Sequence, residues 1–571
     1  MGLADYIAVA KEEAPADLLL KNARVVNTLS AQVEEADVAI YGGRIVGVGS
    51  YSRGRRTMNL KGKYLLPGLI DGHTHVESSL LHVPQYARAV VPHGTVAAVT
   101  DLHEMANVAG LEGVRYLMDC ARPLPLDLYF MLPSCVPATS LETAGARLSA
   151  RELRPARRWR RVLGLGEVMN FPGVLTGDAD VLAKLDFSQE GVIDGHAPEL
   201  RGKELNAYLS AGIGSDHECT TYQEAQEKLR RGMYIMIREG SAEKNLEALL
   251  PLAQGDAHRR CMLVVDDRSA TDLLRDGDMD AVVRRAIRLG LEPIRAIQLA
   301  TINPAQYFGL RRLGAIAPSY EASVIVVDDL RSFQVEKVFR RGRLVAQEGK
   351  ALFSPQASVS EEIGHTVRIK AFTVEDLFLP VTRDTWPIIE VVPGQVITKK
   401  KVAKAAVQDG RVVSDTERDI LKLAVVERHR ATGNIGLGLV TGFSLKRGAL
   451  ASSVAHDSHN VVVVGTDDGD MYQAVKEVEE RQGGLVAVAG GRLEAALALP
   501  VAGILSPEPL EAVVAHLEKL NQAARDMGCS LPAPFDTLSF LALPVIPELR
   551  LTDLGLVEVT PGYIARWSWK T

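Results

Sequence analysis

The chain is poor in cysteine, with five in 571 residues (Cys120, Cys135, Cys219, Cys261 and Cys529). Their odd number, wide spacing and lack of any CxxC pair exclude a disulfide framework and a thiolate zinc site, including the PCxxC of cytidine-deaminase-type enzymes. An excess of positive charge is also missing. With 65 Lys and Arg against 71 Asp and Glu, the net charge is -6, so nucleic acid gains no broad electrostatic attraction. The one basic run, RELRPARRWRR at 151–161, reads as the solvated face of a helix. No uninterrupted apolar run is long enough to span a bilayer. LVAVAGGRLEAALALPVAGIL is broken by Gly-Gly-Arg and a glutamate and reads as a hairpin between strands. The opening MGLADYIAVAKEEAPADL lacks the basic and apolar regions of a signal peptide, so a cytoplasmic location is expected. Neither a long-period repeat nor a low-complexity segment occurs.

What is present is an ordinary globular composition, 47% hydrophobic and 24% charged. The length exceeds what one hydrophobic core supports, so two or three domains are expected. Residues 18–66 hold short strands and glycine turns, and ASVIVVDDLRSFQVEKVFRRGRLVAQEG after residue 320 repeats that pattern. Two sheet fragments flanking a long α/β segment predict one small β unit, 1–66 with 310–360, built from both sides of an insertion. Between them stand eight strand-length apolar runs: YLLPGLIDGH, TVAAVTD, LDLYFML, RVLGLGEV, GVIDGH, AGIGSD, GMYIMI and CMLVVDD. Each is followed by a helical stretch, the pattern of a (β/α)8 TIM-type barrel over 67–309, with a doubly wound sheet as the structural alternative. Beyond residue 361, hairpins (AAVQDGRVVSD, GLVAVAGGRLEAALAL) and two helices (MYQAVKEVEERQ, LEAVVAHLEKLNQAARDMG) predict a C-terminal α+β domain over 361–571.

The chemistry lies at the strand ends. In PGLIDGHTHVESS, His73 and His75 stand two apart on a strand, projecting together with backbones about 6 to 7 Å apart. That geometry lets two imidazoles hold one ion, although HxH alone is weak evidence. It closes the first barrel strand, on the face where barrel active sites form, and Glu77 and Ser78 follow. Strand four ends in Glu167, strand five in His196, strand six in Asp216 and His217, and strand eight in Asp266 and Asp267. Imidazoles and carboxylates from several strands at one barrel end suit a hard or borderline divalent ion, and their number favours two.

PGLIDGHTHVESS, DLHEMANVAG, GLGEVMNFPGV, DGHAPELRGKELNAYLSAGIGSDHECTT and VVDDRSATDLL resemble the successive motifs of the adenine deaminases of the amidohydrolase superfamily. The resemblance runs on through LATINPAQYFGL, LGAIAPSYEASVIVVDDL and SSVAHDSHNVVVVGTDDGDM, covering nearly the whole chain in order. It implies a metal-bearing barrel with a β-sandwich and a C-terminal domain, and the activity adenine plus water to hypoxanthine plus ammonia, in purine salvage. It also implies two divalent cations, Mn²⁺ or Fe²⁺ with Zn²⁺ as a third choice. By that resemblance His73 and His75 hold one ion, His196 and His217 the other, Glu167 bridges them, and Asp266 completes the first. Glu167 stands where many relatives outside this family use a carboxylated lysine. Asp266 is taken over Asp267 because it directly follows the apolar run. Ser269, Asp278, Leu102 and Glu199 depart from the family's pattern, and none of them removes a proposed ligand.

For the reaction, water must lose a proton and the purine ring must gain one. Asp266 is the expected base, with His217 a further candidate to polarise the attacking oxygen. Glu77 and Glu104 are the expected ring acids. Asp101, His103, Glu199 and, from the HDSHN run, Asp457 and His459 are expected to line the purine site. HDSHN, which also holds His456, keeps two readings: a capping turn before VVVVG, or a lid contributing polar groups. Three other functions stay open: opening of a cyclic amide, as in dihydroorotases and hydantoinases; deamination of another 6-aminopurine; and a non-enzymatic binding module. The partner expected is a small purine, with neither nucleic acid nor membrane, in a homo-oligomer of two or more copies.

Overall fold

A computed structural model describes residues 2–354, 358–560 and 563–566. Residues 1, 355–357, 561–562 and 567–571, which fall within the expected domain bounds, lie outside the described residues. Eight parallel strands occupy the positions of the eight apolar runs. They are β1 (Leu69–Thr74), β2 (Thr95–Asp101), β3 (Asp127–Leu132), β4 (Val162–Val168), β5 (Val192–Gly195), β6 (Ser215–Asp216), β7 (Tyr234–Arg238) and β8 (Cys261–Val264). They form a five-stranded sheet, β5-β4-β3-β2-β1, and a three-stranded sheet, β6-β7-β8. The seams are bonded too. Gly214 N–H donates to Ile193 O and Tyr234 N–H to Gly214 O, both at 2.9 Å, joining β5 to the start of β6 and β7. At the other seam Thr74 and Asp266 form a parallel bridge. The interior is filled by Ile70, Ala97, Val99, Met131, Met236, Met262 and Val264, with Phe308, Leu310 and Leu313 in the same cluster.

The flanking β unit, expected as a sandwich, is one continuous sheet of nine strands drawn from both ends of the inserted segment. Tyr64–Pro67 pairs antiparallel with Val324–Val327, and Arg24 and Val25 pair with Tyr64 and Leu65 on its other side. One core lies around Leu20, Val25, Val38, Leu65, Val324 and Phe339, and a second around Val9, Leu19, Ala39 and Val46. The alternation of neighbours such as Leu19 and Leu20, or Val38 and Ala39, between these cores is the period of two that a pleated strand imposes.

Beyond residue 380 an eight-stranded sheet is covered by helices Asp468–Glu480 and Leu510–Asp526. The hairpins expected at AAVQDGRVVSD and GLVAVAGGRLEAALAL form, as Ala406–Gln408 with Arg411–Val413 and Gly484–Ala489 with Arg492–Ala498. This unit is laced to the parallel-strand unit just after β1, where Ser506 N–H donates to Leu80 O at 2.7 Å and His82 N–H to Ser506 O at 2.8 Å. Among the described residues no helix is long and apolar enough to cross a membrane.

Close backbone contact explains one glycine of the GLGE run. A Cβ on Gly164 would lie 1.7 Å from Val192 O, where β4 meets β5. Gly164→Ala is therefore expected to push β5 away and destabilise the protein by about 1–3 kcal/mol. A clear fall in the thermal unfolding midpoint checks it.

Candidate metal centre

Each functional side chain is set by a short-range device at the end of its strand. Asp71 Oδ1 accepts from the N–H groups of His73 and Val265, both at 3.3 Å, pinning β1 to the end of β8. Asp266 N–H donates to His73 O at 3.0 Å, and His75 N–H to Asp266 O at 3.2 Å. Asp266 takes a left-handed backbone conformation, φ 59°, which aspartate tolerates better than most residues. Asp266, distant in sequence, is thereby brought against the two histidines. On β5 and β6 the pins are buried. The Tyr208 hydroxyl donates to Val168 O and accepts from His196 N–H. Asp216 accepts from Ala197 N–H and from the buried Lys228 ammonium, which also donates to Ala197 O.

At the centre is Glu167, whose two oxygens face different imidazoles. Oε1 lies 3.1 Å from His75 Nε2 and 3.7 Å from His103 Nδ1; Oε2 lies 2.8 Å from His196 Nδ1 and 3.3 Å from His217 Nε2. Asp266 Oδ1 lies 3.4 Å from Nε2 of both His73 and His75, while Oδ2 is held by Arg238 Nη1 at 3.0 Å. His75 Nδ1–H donates to the Asp101 carbonyl at 3.1 Å. That bond leaves Nε2 to face the carboxylates, as a ligating histidine requires. Gly166 lets Asp101 approach: a Cβ there would lie 1.8 Å from Asp101 Oδ2.

The electrostatics follow from burial. Removal from water penalises the charge on Glu167, but hydrogen bonds from His196, His217 and His75 outweigh it and hold the carboxyl well below its ordinary range. Burial, reinforced by His217, pushes His73 down to about 4, so it is a neutral donor. Burial also pushes Glu77 up to about 7 and Asp101 up to about 7. Glu104 goes the other way. Burial opposes its charge, yet His456, His459 and His103 hold it well below the usual carboxylate range.

His456 and His459 come from the C-terminal domain, and both bond Glu104. His459 Nδ1 accepts from Ala455 N–H at 3.1 Å, so its Nε2–H is the donor to the carboxylate. The HDSHN loop thus holds its own backbone and reaches the barrel at once. Asp457, with His103 and Glu104, offers ligand atoms within 4.8 Å of one another.

The donors present suit a divalent cation. His73, His75 and Asp266 converge, as do His73, Glu167 and His217, and His196, His217 and Glu218, each set within 4.8 Å. His73 Nε2, His103 Nδ1 and His217 Nδ1 are buried without a hydrogen-bond partner among the described residues. Such orphaned groups cost free energy unless something binds them. All six expected ligands, His73, His75, Glu167, His196, His217 and Asp266, fall in this one cluster. Asp267 points elsewhere and accepts from Ser78 Oγ. Glu77 stands beside the cluster, buried, one oxygen accepting from Met105 N–H at 3.3 Å.

Glu199 is not brought in. It is exposed, and its N–H donates to Glu224 at 2.8 Å. Ser269, another departure from the family pattern, caps the helix Ala270–Asp276 by accepting from Asp272 N–H at 3.2 Å. Two residues were missed in the sequence. Glu218 lies 3.4 Å from His217 Nε2 and is gripped by both Arg238 nitrogens. Arg238 ends β7, an end to which the sequence reading assigned no residue, and that gap was the available signal.

The Amidohydrolase family model matches residues 64–345, and the Adenine deaminase C-terminal domain model matches 395–562. The adenine deaminase of Dehalococcoides mccartyi is 57% identical over 557 residues, covering 98% of this chain and 98% of its own. Adenine deaminase 2 of Carboxydothermus hydrogenoformans is 49% identical over 97% of this chain and 98% of its own. The adenine deaminase of Methanothrix thermoacetophila is 47% identical over 98% of each.

Because Glu167 is shared by four imidazoles and Glu199 by none, the two glutamates are expected to differ in metal retention. Glu167→Gln should weaken metal binding at least roughly tenfold, and Glu199→Gln should leave it unchanged. Metal analysis of the dialysed proteins measures both.

Proposed function

The chain belongs to the adenine deaminases of the amidohydrolase family, and on that premise we propose that it hydrolyses adenine to hypoxanthine and ammonia at the cluster around Glu167. The observation that carries the reading is the Glu167 carboxylate, one oxygen toward His75 and His103 and the other toward His196 and His217. The eight parallel strands act as one closed (β/α)8 barrel over 67–309, with the β unit of 1–66 and 310–360 at its side and the C-terminal unit of 361–571 over its mouth. His73, His75 and Asp266 would hold one divalent cation and His196 and His217 the other, with Glu167 as the carboxylate shared between the two sets. Mn²⁺ or Fe²⁺ suits the mixture of imidazole and carboxylate, with Zn²⁺ next. The enzyme works in the cytoplasm as a homo-oligomer.

A bound divalent pair supplies a nucleophile at neutral pH by lowering the pKa of water from about 15.7 to about 7. The rest is done by side chains. Asp266, with Oδ2 fixed by Arg238, presents Oδ1 to the cluster, where it takes the proton from water and returns it to the departing amine, which leaves as ammonia. Glu77, pushed up to about 7 by burial, is available as a neutral carboxyl to protonate the ring at N1, and as carboxylate it recovers a proton from the C6 hydroxyl when the carbonyl of hypoxanthine forms. Glu104, held ionised by three histidines, suits binding better than proton donation. Asp101 and His103, which lie 3.9 Å apart beside Glu167, and Asp457 line the purine.

Two measurements test this. A panel of adenine, other 6-aminopurines and cyclic amides, assayed with Mn²⁺, Fe²⁺ and Zn²⁺ in turn, is expected to release ammonia fastest from adenine; ring opening without ammonia would overturn the reading. For the acid, Glu77→Gln should lower kcat by about 10²-fold or more. Glu104→Gln should act chiefly on KM, and the reverse split would exchange their roles.

A further inference from the structure

One buried carboxyl near the cluster has no task so far. Glu142 lies in the segment between β3 and the helix Ala150–Ala156, a connection on the face of the barrel that carries Glu167. Its side chain is buried, 6% exposed, and neither carboxyl oxygen makes a well-formed hydrogen bond among the described residues, with only weaker polar contacts from the Ser458 side chain and the Thr139 backbone. The segment that carries it is firmly held. Thr143 N–H donates to Asp553 at 2.9 Å, Asn460 donates to Thr143 O at 2.8 Å, and Thr552 Oγ donates to Leu141 O at 2.7 Å. On the barrel side Gly145 N–H donates to Asn107 O at 2.8 Å. Three C-terminal residues and the helix after β2 thus fix a side chain that would be cheaper as an apolar one. Leaving a buried polar group unsatisfied costs about 1–3 kcal/mol, and such costs concentrate where a ligand removes them.

The neighbours point to which ligand. Asn460, which donates to the carbonyl of Thr143 next to Glu142, directly follows His459, whose ring bonds Glu104, and Asp457 of the same run converges with His103 and Glu104, beside Glu167. The HDSHN run thus links the segment of Glu142 to the cluster around Glu167. We propose that Glu142 is a specificity-determining residue that reads the N3/N9–H edge of the free purine base, the edge a nucleoside lacks. This rests on the adenine-deaminase reading. Adenine bound with C6 at the cluster presents the opposite side of its bicycle outward, with an acceptor at N3 and a donor at N9 side by side. A carboxyl offers a matching pair, an O–H for N3 and a C=O for N9–H. Burial and the nearby Asp457 hold Glu142 well above the ordinary carboxylate range, which keeps that O–H. A 9-substituted purine has no hydrogen at N9 and places its substituent against the carboxyl, leaving buried polar groups unpaired, the strongest source of discrimination between analogues.

The test compares wild type, Glu142→Gln and Glu142→Leu, all loaded with metal, on adenine and 9-methyladenine. Glu142→Leu is expected to raise the KM for adenine at least about tenfold, to change kcat little, and to narrow the preference for adenine over 9-methyladenine. Glu142→Gln, whose amide keeps one donor and one acceptor, should restore both. Calorimetric binding of unsubstituted purine, which has no amine to lose, reads the same contact without turnover and should weaken in Glu142→Leu alone. The unfolding temperature of Glu142→Leu should hold or rise, since an unsatisfied polar group is replaced by an apolar one. Unchanged KM, purine affinity and preference in Glu142→Leu would overturn the proposal. So would a lowered unfolding temperature with no rescue by Gln, which is the mark of a purely structural role. A wild type that binds purine through Glu142 yet releases no ammonia from adenine would count against the deaminase reading instead.

Discussion

A fully buried carboxylate cannot stand alone in a protein interior, and Glu167 is the point at which this chain meets that constraint. Four imidazoles surround it, from the strand ends of β1, β5 and β6 and from the start of the helix after β2. For them to converge, the ends of strands far apart in sequence must be level with one another. Asp71 levels β1 with β8, Tyr208 levels β4 with the end of β5, and the Asp216–Lys228 pair levels β5 with β6. Asp71, Tyr208, Asp216 and Lys228 each bond backbone groups, so they fix chain position and leave the ligating atoms free. Removing one member of such a buried set exposes the others to the full cost of an unpaired charge, about 3–5 kcal/mol.

The C-terminal unit is part of the same arrangement. His456 and His459 bond Glu104, Asn460 and Asp553 bond the segment of Glu142, and Ser506 bonds the chain just after β1. Three of the barrel's connecting segments are therefore placed by residues more than 300 positions away. The parallel strands carry the side chains that cluster at Glu167, and the C-terminal unit holds Glu104 and the segment of Glu142.

Much of this was legible in the sequence because strand ends are local features. An apolar run of strand length followed by His, Glu or Asp marks both the strand and the side chain it delivers, and β1, β4, β5, β6 and β8 were all found that way. The β unit was legible as two matching fragments, but not that its nine strands make one continuous sheet, since pairing of Tyr64–Pro67 with Val324–Val327 is a contact across 260 residues. Arg238 was marked in the sequence only by the unassigned end of β7, and Glu218, gripped by that arginine, has no spacing signal of its own. Glu142 was missed for the same reason, lying in an irregular segment whose position is set by partners in another domain. Glu199, expected in the purine lining, is exposed, because burial, which decides whether a side chain can act, is not written in local sequence.

Glu167 is proposed as the carboxylate that two divalent cations would share. Anomalous diffraction from crystals grown with Mn²⁺ measures this directly. Two peaks are predicted, one beside Oε1 with His73, His75 and Asp266, the other beside Oε2 with His196 and His217. A single peak with Glu167 bound on one side only, or peaks that leave Glu167 uncoordinated, would contradict it.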